Sequence, residues 1–307
     1  MKYLIKIVKE PVMALIYLMV LTARLWPAEW YIKLFYYLHL KKWPNLKHPR
    51  TFNEKLNWLK LHDRNPLYTQ LADKYEVKKY VSEKIGSDKV IPLLGVWDSF
   101  DEIDFEKLPE QFILKCTHDS GGFVICKDKK TFDMENARLF FKKELKKNFY
   151  WNKREWAYKN IRPRIIAEKF IDSLGKPESY EYKLTCMNGE CKVFTVCTGI
   201  AHSDFELRTN DNYDREFNHL PWYAFYKNSK TPVEIPAQAE EMIGYAEKLS
   251  EGIRQVRVDF YVIDGHVHFG EMTFYTWAGL IEFTPPEWDD IMGSWLRLDI
   301  DAEEGID

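Results

Sequence analysis

The sequence predicts a mixed α+β fold of two or three lobes on one continuous core, and three observations carry that prediction. Two pairs of apolar runs meet at Asn188-Gly189 and Asp264-Gly265, dipeptides that favour tight hairpin turns. Thr51 and Glu54 form a capping-box pattern ahead of a helix. No regular alternation of strand and helix runs along the chain, which disfavours a doubly wound parallel sheet.

Taken in order, Pro44 and Pro49 close an apolar N-terminal region. The capping box opens a helix through Leu61, and a second helix is expected over residues 67–84, stopped by Gly86. Residues 90–96, which include Pro92, read as an edge strand. Strands are expected at 112–116 and 123–126, a helix at 133–147 and a strand at 164–171. The first hairpin takes 182–187 and 191–197, and the second takes 256–263 and 267–274. Residues 202–230 have little periodicity and read as a long loop. Helices follow at 236–252 and 287–298.

With 307 residues, 46% hydrophobic and 30% charged, the chain belongs among folded globular proteins. A net charge of −3 gives no global pull toward nucleic acid. The cysteines at 116, 126, 186, 191 and 197 are odd in number and lack CxxC spacing, which fits a reducing cytosol better than a disulfide framework. At the N-terminus, Lys2, Lys6 and Lys9 precede an apolar region whose strongest run is residues 12–21. That run is too short to span a bilayer, which needs roughly 20 apolar residues. Two readings stay open: helices packed on the protein's own body, or an amphipathic anchor in a membrane interface.

Three constellations carry chemistry. The first is QVRVDFYVIDGHVHFGEMTF at 255–274. Val256, Val258 and Phe260 alternate with Arg257, Asp259 and Tyr261, so one face of the strand is apolar and the other polar. A strict two-residue turn would pair Val258 with Glu271 and split the acids between faces. A three-residue loop with a bulge at Gly265 puts Arg257, Asp259, Glu271 and Thr273 on one face. Hard oxygen donors so grouped suit magnesium; the plain alternative is a surface salt bridge. The second is FILKCTHDSGGFVI at 112–125, a strand ending in Lys115 followed by a small-residue loop. Glycines there let backbone N–H groups approach phosphate, though a simple turn reads the same way. The third is IIAEKFI at 165–171, a strand ending in Glu168 whose following backbone suits an adenine edge, though taken alone it reads better as an edge strand with a solvated Glu-Lys pair.

The order of these elements resembles that of ATP-grasp proteins. The front half resembles the TupA-like branch, linked to teichuronopeptide and polysaccharide biosynthesis: PRTFNEKL at 49–56, WLKLHDRNPLY at 58–68, ADKYEVKKYV at 72–81 and IPLLGVW at 91–97. The resemblance runs from about residue 44 to residue 298. It implies two antiparallel sheets sandwiching ATP, behind an N-terminal helical extension. The implied units are an extension at 1–43, a front lobe at 44–108, a central lobe at 109–170 and a C-terminal lobe at 171–307.

By the same resemblance Lys115 contacts the α- and β-phosphates, and His118, Ser120, Gly121 and Gly122 form the loop that closes over them. Glu168, Lys169 and Ile171 lie against adenine. Lys183 points to the phosphates, and Lys74 or Lys78 adds a cation. Asp259 and Glu271 hold magnesium, with Thr273 where many relatives have asparagine. Arg257 steadies an acyl phosphate. The branch favours HGSG where this chain has Asp119 inserted, and TPGSG where YTWAG stands at 275–279. The implied activity is ATP-dependent joining of a carboxylate to an amine such as an amino acid. The carboxylate is expected on a uronic acid of a surface polysaccharide or its precursor, and Arg208 and Arg215 of the long loop are candidates to bind it. The implied location is cytoplasmic, with peripheral membrane contact through the N-terminal segment if that segment is an anchor.

Overall fold

A computed structural model describes residues 11–176, 179–200, 204–231 and 233–298. Lys2, Lys6 and Lys9 therefore lie outside the described residues, as does the start of the expected long loop. Strands β1 (Leu93–Trp97), β2 (Phe112–Cys116), β3 (Phe123–Cys126) and β4 (Ile165–Lys169) form one antiparallel sheet in the order β1-β4-β2-β3. Strands β5 (Glu181–Met187), β6 (Glu190–Thr198), β7 (Thr209–Tyr213), β8 (His219–Leu220), β9 (Gln255–Ile263) and β10 (His266–Thr273) form a second, in the order β10-β9-β5-β6-β7-β8. The expected edge strand is indeed an edge: β1 pairs only with β4.

Each sheet is apolar on the face turned away from the other. Phe112, Leu114 and Ala167 of the small sheet pack with Ala137 and Phe141 of helix α6 (Met134–Glu144). Val256, Val258 and Phe260 of the large sheet are fully buried in one core with Met242, Ile243 and Ala246 of helix α8 (Ala239–Leu249). Helices α3 (Phe52–His62), α4 (Leu67–Ala72) and α5 (Glu76–Ile85) bury Phe52, Leu56, Leu71 and Val81 in that same core. The front helices thus share the core of the large sheet. Thr51 and Glu54 cap α3 reciprocally, as expected.

Three expectations need correction. The helix expected over 67–84 is two helices. Asp73 is extended, and its carboxylate accepts from the backbone N–H of Tyr75 (2.8 Å) and Glu76 (3.3 Å), an alternative to helical bonding that short acids offer. The break turns Lys74 toward the central lobe, where its N–H donates to the Thr117 carbonyl at 3.1 Å. Second, the long loop contains β7 and β8, which widen the large sheet. Polar Asn210, Asp211 and Asn212 disguised β7. Asp211 and Asn212 are buried with partners: Thr195 Oγ1 donates to Asn212 Oδ1 at 2.8 Å, and the Ser229 N–H donates to Asp211 at 3.0 Å. Third, the last hairpin turns on two residues, Asp264 (φ 50°) and Gly265 (φ 79°). The bulge that shifts its register lies at Gly270 and pairs Glu271 with Asp259.

Helix α2 (Ala28–Leu40) is fixed to the body. Tyr31 Oη donates to the Asn152 carbonyl at 2.6 Å, and the Arg154 guanidinium lies 4.8 Å from the Tyr31 ring centre while bonding the Ala23 and Trp26 carbonyls. Helix α1 (Pro11–Leu21) buries Met19 but leaves Met13, Tyr17, Leu18 and Leu21 more than half exposed.

Candidate active site

The two sheets face one another across a cleft of about 420 Å³. Its outer end is apolar: Ile113, Phe123 and Ile125 from the small sheet, with Phe170, Ile171 and Leu174 beyond it. Its inner end carries Lys74, Lys78, Lys115, Ser120, Gly121 and Gly122, with Glu271 opposite from the large sheet. An apolar slot ending in cations is the shape and charge of a nucleotide site.

Register explains which side chains arrive there. In β2, Lys115 and Ile113 alternate with the buried Phe112, Leu114 and Cys116. Ile113 pairs with Glu168 of β4, so both project into the cleft. Glu168 Oε2 lies 2.6 Å from Lys115 Nζ and Oε1 lies 2.5 Å from Lys78 Nζ. Burial raises the Glu168 carboxyl, but Lys115 and then Lys78 outweigh it and hold the group below its ordinary range. Glu168 thus sets two lysines side by side. Lys169 and Ile171 also line the cleft, Ile171 at its apolar outer end.

The loop after β2 is tied down by Lys74, whose Nζ donates to the Asp119 carbonyl. Gly121 has φ 91°, a conformation that suits glycine alone. Asp119 folds back over Gly122, where an added Cβ would lie 2.1 Å from Asp119 Oδ2. The inserted acid is buried against the loop, with its Oδ1 lacking a hydrogen-bond partner among the described residues. His118 corrects an expectation: it does not line the cleft. It is buried, with Nε2 3.3 Å from the Glu144 carbonyl at the end of α6.

On the large sheet, Arg257 lies at the centre of the acids. Its Nε and Nη2 each donate to Asp259 at 2.6 Å, and Nη2 also meets Glu271 Oε1 at 3.2 Å and Thr273 Oγ1 at 3.1 Å. Gly270 permits this. A Cβ at the bulge would stand 2.9 Å from the Tyr261 ring and 3.1 Å from the Asp259 carbonyl. Lys183, paired with Asp259 across β5 and β9, approaches it at 3.3 Å and Glu181 at 2.7 Å. Burial would lower the Lys183 ammonium, yet Asp259 beside it raises it overall. Burial likewise raises the Glu271 carboxyl, but Lys74, Arg257 and Lys183 bring it down to about 2. Its side chain is 41% exposed, so water screens part of that field.

Asp259, Glu271 and Thr273 thus present three oxygens to a single cationic nitrogen. This is the hard donor set that magnesium takes, and the guanidinium stands where a cation's charge is accommodated. Among the described residues no group of three or more His, Cys, Asp or Glu is arranged for a metal.

A second cavity of about 330 Å³ adjoins the cleft and shares Lys74, Ser120, Gly270 and Glu271 with it. Lys183, Arg257 and Thr273 line this inner cavity and not the nucleotide-sized cleft. Its floor includes Trp277 and Ala278, both with left-handed backbone (φ 51° and 57°). The motif at 49–56 serves this segment. Asn53 and Asn57, with Lys60 one turn further on, form a stripe along α3. They hold the carbonyls of Ile281, Gly279 and Ala278 at 2.8, 2.8 and 2.6 Å. Glu181 was missed in the sequence although it alternates with Lys183; Glu155 lies in irregular chain with no pattern to mark it.

These two sheets and the polar cleft between them are the architecture of the ATP-grasp fold. The family model described as TupA-like ATPgrasp matches residues 54–297, and the chain belongs to that family. It is also similar to solved structures. The D-alanine–D-alanine ligase from Bacillus anthracis complexed with ATP is 16% identical over 67% of this chain and 55% of that one, with a TM-score of 0.39. The corresponding ligase from Helicobacter pylori is 16% identical over 75% and 61%, at 0.41. A RimK domain ATP-grasp protein from Sphaerobacter thermophilus is 12% identical over 76% and 70%, at 0.38. The chain thus spans little more than half the length of the two ligases. No curated protein sequence matches it.

Proposed function

We propose that the chain is an ATP- and magnesium-dependent carboxylate–amine ligase. The observation that supports this best is the cleft that runs from an apolar slot, past three lysines, to the Arg257–Asp259–Glu271–Thr273 cluster and into a second cavity. Adenine lies in the slot against Phe170 and Ile171, and the phosphates extend toward Lys78, Lys115 and the loop at Ser120–Gly122. Asp259, Glu271 and Thr273 would hold magnesium, which, when bound, neutralises phosphate charge and orients the transferred group. Lys183 and Arg257 place fixed positive charge where a carboxylate must approach the γ-phosphate and where the acyl phosphate's charge develops. Closure of the loop at Ser120–Gly122 over the inner cavity would limit water, which would otherwise hydrolyse the acyl phosphate.

The carboxylate is assigned to a uronic acid of a surface polysaccharide or its precursor, and the amine to an amino acid. Arg208 lines a further small cavity beside Lys183 and Arg257, together with Thr185, Asn210 and Asn212, groups suited to sugar hydroxyls. Arg215 instead pairs with Glu240 at 2.9 Å on the surface and takes no part in these cavities. An ADP-release screen of uronic acids against amino acids tests the reading. We expect release that needs both substrates and an amide as product. Release with a phosphorylated acceptor and no amide would make the chain a phosphotransferase, and release from a nucleotide sugar alone would make it a glycosyltransferase.

We assign α1 to contact with an anionic membrane surface. Among the described residues no helix is long and apolar enough to cross a membrane. Tyr17, Leu18, Leu21, Leu25 and Trp30 are exposed, with Arg24 in the same segment and Lys33 over the Trp30 ring. Flotation with phosphatidylglycerol vesicles should carry the full chain. Leu18→Glu with Leu21→Glu should leave it at the bottom of the gradient, and equal flotation of both would refute the assignment.

A further inference from the structure

The inner cavity holds a carboxylate outside the Arg257 cluster. Glu155 follows α7 (Tyr150–Lys153) and is only 5% exposed, yet it lines this cavity. Among the described residues no hydrogen bond and no ion pair within 4.0 Å reaches its carboxylate. Its electrostatic neighbours are Lys60 on α3 and Lys153 on α7, and Lys153 lines the same cavity. Lys60 spends its hydrogen bonds elsewhere, on Asn57 Oδ1 at 3.0 Å and the Ala278 carbonyl at 2.6 Å. Tyr158, Glu271 and Arg257 face the same space from the other elements packed around it.

A buried carboxylate without a close partner is costly unless a ligand completes it. The ligand that completes it is a cation with N–H donors. Lys74, Lys183 and Arg257 line the same cavity and attract the anionic reactant. We propose that Glu155 is the amine site of this protein: it binds the incoming primary ammonium and removes its proton. This rests on the ligase reading above.

The step balances as follows. Glu155 accepts one proton from the ammonium, and the freed lone pair forms the C–N bond at the acyl carbon. The C–O bond to phosphate breaks, the phosphate leaves with that electron pair, and the second proton passes from nitrogen to the departing phosphate. Burial raises the Glu155 carboxyl toward neutrality, with Lys60 and Lys153 opposing, which suits proton transfer near neutral pH.

Two measurements on the full chain test this, comparing wild type with Glu155→Gln. The first uses ethylammonium as a probe, followed by saturation-transfer NMR in the presence of ADP and magnesium. Wild type should bind it and Glu155→Gln should not. Equal binding, or none to either, overturns the proposal. The second uses ATP and glucuronate, with either hydroxylamine or glycine as nucleophile. Hydroxylamine is neutral at pH 7 and needs no base, so Glu155→Gln should form hydroxamate within about threefold of wild type while glycine amide falls by about 10²-fold or more. Parallel loss of both products would reduce Glu155 to a structural group and overturn the proposal. Glu155-dependent ethylammonium binding without hydroxamate from wild type would leave the cation site standing and count against the ligase reading.

Discussion

Glu271→Gln should lower magnesium-dependent ADP release by about 10²–10³-fold while the melting temperature stays within a few degrees of wild type. The side chain is 41% exposed, so its amide can be solvated and the fold keeps its contacts. It is also the acid that both cavities share, between Lys74 on one side and Arg257 on the other. The binding defect should be visible without turnover, as loss of the Mn²⁺ electron-paramagnetic-resonance change that accompanies ADP addition. Asp259→Asn should behave differently. Asp259 is fully buried, with Arg257 bonded to both oxygens and Lys183 at 3.3 Å. Removing its charge takes the buried partner from both cations and leaves Arg257 only Glu271 and Lys183 only Glu181, at a stability cost of about 3–5 kcal/mol. Normal Mn²⁺ response in Glu271→Gln would refute its role as a metal ligand.

Glu168→Gln should destabilise the small sheet and weaken nucleotide binding together. One carboxylate, 7% exposed, holds Lys115 at 2.6 Å and Lys78 at 2.5 Å. Without its charge the two ammonium groups repel one another. The expected cost is about 3 kcal/mol, reduced from the fully buried case because Lys115 can turn toward water. Thermal unfolding should shift down by roughly 5–8 °C, and ADP affinity should fall by about tenfold, the equivalent of roughly 1.4 kcal/mol. Urea titration and calorimetric ADP binding check the two effects. An unchanged midpoint with unchanged affinity would show that the trio is incidental.

Much of this was legible from periodicity and local chemistry. The alternation of Val256, Val258 and Phe260 with Arg257 and Asp259 gave the two faces of β9, and the capping box at Thr51 fixed the start of α3. The shared face of Asp259 and Glu271 was foreseen, but through a bulge at the turn. It arises at Gly270, where a side chain would strike Tyr261 and the Asp259 backbone. Hairpin registers depend on such contacts between strands, and one strand's sequence does not contain them. The break at Asp73 was hidden because the flanking residues all suit a helix; a side-chain bond to the backbone of Tyr75 decided against it. His118 was drawn toward the phosphates by its place beside the loop, whereas burial against α6 removes it. Glu155 could not be found in the sequence at all, since its meaning comes from the absence, among the described residues, of a close partner in a cavity lined by α4, α5, α7 and β10.

The account rests on a nucleotide lying between the two sheets with its phosphates directed at the β9–β10 acids. Crystals grown with a non-hydrolysable ATP analogue and manganese address this directly through the anomalous signal of the metal. We expect one strong peak bonded to Glu271 and Asp259, bridging to phosphate oxygens, with the base against Phe170 and Ile171. A nucleotide bound elsewhere, or a metal peak remote from both carboxylates, would contradict it.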